Sequence, residues 1–199
     1  MLNLPFAHLL VILSVIVMLA GALPYFLDTL SGKTRPNLVT WFMWMLAPAV
    51  SAGAALASDA DVWATTRVIV GGFVPLMVLA AAFVSKHGHW QLTRFDLGCG
   101  ALSLLALIFW GVVDSPLMAI VLATAGNTVA SVPTLIKAWK FPETETSITF
   151  ATSFISSLLI LPSIPVWNIE NAAFQILLLL TTGLLLIAVH WTKLGLGNS

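Results

Sequence analysis

The side chains able to do chemistry are few, and they sit among apolar neighbours. Asn127 stands between Gly126 and Thr128 near the middle of an apolar run. An amide in such a setting has to find a hydrogen-bond partner, either on a neighbouring helix or on a ligand in a wet cavity. Thr149, Thr152, Ser153, Ser156 and Ser157 recur at spacings of three and four, so a helix gathers them largely on one face. That polar stripe could line a solute path or let two helices pack closely. Trp41 and Trp44 are the best aromatic candidates for a binding surface, or else anchor at an interface.

Titratable groups add little more. Asp28 follows Pro24 by one helical turn, with Lys33 and Arg35 close behind. A buried carboxyl there could carry a proton, while an exposed one would pair with those cations. Arg67 could pair with Asp59 or Asp61. His8, His87, His89 and His190 are scattered, and Cys99 is the single cysteine. Metal-site spacing is missing, as is a nucleophile with its base, so the expectation is a non-enzyme without metal or cofactor.

The elements that must position these groups read as helices. Of 199 residues, 59% are hydrophobic and only 8% charged. An ordinary globular domain carries about 25% charged residues, so this composition points to a membrane chain. A spanning helix needs about 20 mostly apolar residues. Seven segments meet or approach that length, at about 5–30, 37–57, 62–85, 95–113, 116–139, 147–166 and 170–191. The runs are continuously apolar, whereas barrel strands would alternate. The stretch Leu9–Leu23 has no Lys or Arg before it, which argues against a cleaved signal.

Taking alternate breaks as one side collects Lys33, Arg35, Lys86, Arg94, Lys137, Lys140 and Lys193, against Asp59, Asp61, Asp114 and Glu170 on the other. The excess of cations predicts an integral membrane protein with its N-terminus outside and its C-terminus in the cytoplasm. Short loops and no visible organelle signal suit a bacterial inner membrane. Trp63, Trp110 and Trp167 at outer ends, with Trp139 and Trp191 at inner ends, fit the same scheme.

A fixed shift of 109 positions lays Pro24 on Pro133, Thr40 on Thr149, Trp41 on Phe150 and Trp44 on Ser153. This register divides the chain into a three-helix repeat at 1–85, a linker helix at 86–114 and a second three-helix repeat at 115–199. An odd number of spans between the copies makes the repeats parallel. This all-α 3-1-3 plan resembles the SWEET and PQ-loop transporter superfamily. So does a proline followed by a short polar loop in each half: Leu23-Pro24 before Gly32-Lys33-Thr34-Arg35, and Val132-Pro133 before Lys140-Phe141-Pro142-Glu143. The glutamine usual after that proline is replaced by Tyr25 and Thr134.

The resemblance implies a carrier of a small polar, sugar-like solute, working in the lipid bilayer by alternating access between the repeats. Pro24, Pro48, Pro133 and Pro162 would then be hinges. Trp41, Trp44, Asn127, Ser153 and Ser156 would line the solute pocket, and Asp28 would be the candidate for proton coupling. A proton-coupled amino-acid carrier and a non-transporting receptor or assembly protein are the alternatives, and oligomerisation stays open.

Overall fold

A computed structural model describes residues 4–57, 62–85, 89–112, 116–164, 167 and 169–191. Among these the chain forms seven α-helices: α1 (Leu4–Leu30), α2 (Leu38–Ala57), α3 (Val62–Val84), α4 (Arg94–Val112), α5 (Pro116–Lys140), α6 (Ser147–Ile160) and α7 (Ile169–His190). Local chemistry explains several ends. Past α1, Gly32 takes φ 78°, a left-handed turn open to glycine, and its N–H donates to Thr29 O at 3.1 Å. Asn37 caps α2, its Oδ1 accepting from the N–H groups of Val39 and Thr40 at 3.1 and 3.4 Å.

Thr93 and Asp96 satisfy each other's backbone N–H at the start of α4, at 2.7 and 3.2 Å. This is a capping box with aspartate in the glutamate position. α5 opens on Pro116, whose missing N–H costs nothing there.

The core draws on every helix except α4. Ala22 and Tyr25 of α1 meet Trp41 of α2, Val74 and Val78 of α3, Ala138 of α5, Phe150 of α6 and Leu185 of α7. α1 packs on α6 and α3, α2 on α3 and α5, and α7 on α5 and α6; α4 lies outside, against α5 and α2. Backbones come close where side chains vanish. A Cβ on Gly21 would stand 1.6 Å from Thr152 Oγ1, so only glycine fits where α1 crosses α6.

The structure corrects the reading of seven membrane spans. Among the described residues, one helix, Pro5–Leu30, is long and apolar enough to cross a membrane. Elsewhere the apolar stretches are shorter: Leu38–Ala49, Ile69–Val84, Ser147–Ser163 and Gln175–His190. α6 shows the reason. It ends at Ile160 after 14 residues, about 21 Å of rise against a hydrocarbon core of about 30 Å. Pro162, expected inside a sixth span, lies in a 3-10 turn, Leu161–Ser163.

With one qualifying helix, the 3-1-3 arrangement of seven transmembrane helices is not supported. The lipid bilayer as partner and the placement as an integral inner-membrane protein with its N-terminus outside rested on that arrangement, and they are not supported either. Of the charges behind the orientation, Asp59, Asp61, Lys86, Asp114 and Lys193 lie outside the described residues, as do the side chains of Arg67 and Glu170.

Candidate functional site

Two polar regions are built into the bundle. At the end where α1 and α5 finish and α2 and α6 begin, Lys137 and Glu145 form a buried ion pair of 2.6 Å, with side chains 1% and 0% exposed. Lys137 Nζ also donates to Arg35 O and lies 5.4 Å over the Trp90 ring. Glu145 Oε2 accepts from the Tyr25 hydroxyl at 2.7 Å. Burial, then the neighbouring carboxylate, pushes the Tyr25 phenol well above its ordinary value, so it stays a donor. Each charge thus has a counter-charge and hydrogen bonds, the condition under which burying a pair is tolerable.

Beside this cluster opens a cleft of about 730 Å³ lined by Pro24, Asp28, Lys33, Glu143, Glu145 and Thr146. Asp28 Oδ1 pairs with Lys33 at 3.4 Å and its Oδ2 accepts from Thr146 Oγ1 at 2.8 Å. Thr34 and Thr146 share a 2.5 Å hydroxyl contact, tying the turn after α1 to the start of α6. The carboxylate suggested for proton coupling is therefore held by an ammonium and a hydroxyl at the lip of a cleft.

The second region is the seam between α2 and α5. Trp44 Nε1 donates to Ser131 Oγ at 3.1 Å, and Thr40 Oγ1 donates to Ala130 O at 2.7 Å. Trp41 is buried, its ring 4.7 Å from Tyr25 and 5.2 Å from Trp44. Asn127 lies one turn before Ser131, buried at 7% exposure. The structure thus brings Trp44 and Asn127 to one seam, with Trp41 beside Trp44 on the core side.

Ser153 and Ser156 stand elsewhere, on α6. Ser156 Oγ donates to Ser14 O of α1 at 2.8 Å, and Thr149 Oγ1 donates to Gly21 O at 2.7 Å. The hydroxyl stripe therefore works in part as a helix–helix contact. Pro24, Pro48 and Pro133 lie inside α1, α2 and α5.

Lys137 and Glu145 escaped sequence reasoning because a cation ending an apolar run reads as solvated. A usable signal was present: the two lie eight residues apart across Pro142, which turns the chain back on itself. Tyr25, the only tyrosine, gave no such sign.

Comparison with family models, with characterised proteins and with solved structures returns no match for this chain. The resemblance to SWEET and PQ-loop transporters is accordingly corrected: no family model supports it, and among the described residues a single helix has the length and apolarity of a span. The alternating-access carrier of a sugar-like solute, the proton-coupled carrier and the small polar solute as partner rested on that resemblance and fall with it.

Proposed function

We propose that the chain is an assembly module, a helical bundle that docks an apolar helix of another polypeptide on the outer face of α4, with no reaction assigned to it. The observation that carries this reading is the face itself. Phe95, Leu102, Leu105, Ile108 and Phe109 are about half exposed or more, with Leu102 at 59% and Phe109 at 57%. Asp96 and Ser103 of this helix point the other way and are buried. Contiguous apolar surface of this kind marks an interaction site.

Two features favour a helix as occupant. α4 stands outside the core that unites the other six helices, so its outer face is free of the bundle's own packing. Gly98, on the same side as Leu102, Leu105 and Phe109, has open space where a Cβ would be, and such a position lets a second backbone come close. The buried ion pair at the bundle's end supports the same role by holding α1, α5 and the segment before α6 in one arrangement.

We also take segments 1–85 and 115–199 as two like units joined by 86–114. Supporting this, the bonds Thr40 to Ala130 and Thr149 to Gly21 map onto one another under the shift of 109.

Site-specific photo-crosslinking tests the docking role. A benzophenone side chain placed at Leu105 or Phe109 should capture a discrete polypeptide in cells, and one at exposed Gln91 should not. Adducts with lipid alone, or equal capture at all three positions, would overturn the proposal.

A further inference from the structure

Between α2, α4 and α5 lies a small cavity of about 10 Å³, walled by Met43, Ala47, Ser103, Leu107, Gly126 and Asn127. Its geometry follows from close helix approach. A Cβ on Gly126 would lie 3.1 Å from Ala106 Cβ and 3.3 Å from Ser103 O, so α4 and α5 touch backbone to side chain just beside it. Asn127, the next residue, is more than nine-tenths buried, and its Nδ2 has no hydrogen-bond partner among the described residues. Leaving a buried amide donor without a partner is costly, so native structures give nearly every such group one.

We infer that this cavity holds one structural water, bound by Asn127 and Ser103, that completes the α2–α4–α5 junction. The volume matches a single water, which needs about 10–15 Å³ and at least two polar partners. Asn127 Nδ2 donates to the water oxygen. The water donates to Ser103 Oγ, whose own proton is already committed to Cys99 O at 2.8 Å, leaving its lone pairs to accept. The thioether of Met43 is a weak acceptor for the second water proton. The remaining walls are apolar. The site concerns the inner side of α4 and stands whether or not its outer face docks a partner.

A crystal structure of the full chain at a resolution that shows solvent tests this directly. A density peak about 2.7–3.2 Å from Asn127 Nδ2 is expected. Ser103→Ala should lower its occupancy severalfold, and Asn127→Leu should abolish it. An empty cavity, or a direct bond from the Asn127 amide to a protein group, overturns the inference. Should Asn127→Leu fail to fold, Ser103→Ala still decides: a peak of unchanged occupancy overturns the assignment of Ser103 as acceptor.

Discussion

Replacing Lys137 by methionine removes the ammonium and keeps most of the apolar stem, so the loss is electrostatic rather than steric. It strips Glu145 Oε1 of its 2.6 Å partner and, among the described residues, leaves a fully buried carboxylate with only the Tyr25 hydroxyl to hold it. Removing one member of a buried pair costs about 3–5 kcal/mol because the surviving charge is uncompensated. For a chain of this size that corresponds to a fall in Tm of roughly 6–20 °C. Glu145→Gln should cost a similar amount by stranding Lys137.

The double variant should cost clearly less than the two single costs added together, since neither charge is then left alone. Denaturant unfolding followed by tryptophan fluorescence reports all three, as Trp90 lies beside Lys137. A cost under about 1 kcal/mol for Lys137→Met, the range of an exposed pair, would refute the reasoning. So would strictly additive single costs.

Tyr25→Phe deletes the donor to Glu145 and should cost about 1–3 kcal/mol by urea unfolding. Because the folded phenol sits above its ordinary value, stability is intact below about pH 10 and falls as pH rises further, when the unfolded phenol ionises and the folded one resists. Tyr25 is the chain's single tyrosine, so phenolate absorbance reads it alone; titration near pH 10 in the folded protein would contradict this. Thr40→Val and Thr149→Val each lose one buried hydroxyl bond, at 2.7 Å in both cases, and should cost a similar 0.5–1.5 kcal/mol or so by the same unfolding assay. Gly21→Ala drives a methyl into Thr152 and should lower stability by about 1–3 kcal/mol, whereas Gly98→Ala, with open space above it, should not.

Helix positions were largely legible from apolar runs and their breaks. Pro116 marks the start of α5, and the Ser31-Gly32 turn marks the end of α1. What misled was reading each run as a span. The run at 147–166 looks long enough, but Pro162 forms a 3-10 turn and α6 stops two residues earlier.

The site was legible only in part. Trp44 reaches Ser131, one turn from Asn127, while Trp41 packs against Tyr25 in the core. Ser156 does not join them, since its proton goes to Ser14 O across α1 and α6. Lys137 and Glu145 stayed hidden because their burial depends on Tyr25, 120 positions from Glu145, a contact that no local spacing encodes.

The central claim is that α4 docks through its apolar outer face. Leu105→Glu combined with Ile108→Glu places charge on that face without touching the core. Native mass spectrometry of complexes purified from cells gives the decisive reading. The account predicts that the unaltered chain is recovered with a bound polypeptide and the variant without it, both showing the same unfolding transition. Equal recovery of the partner by the two, or a partner bound by neither, would contradict it.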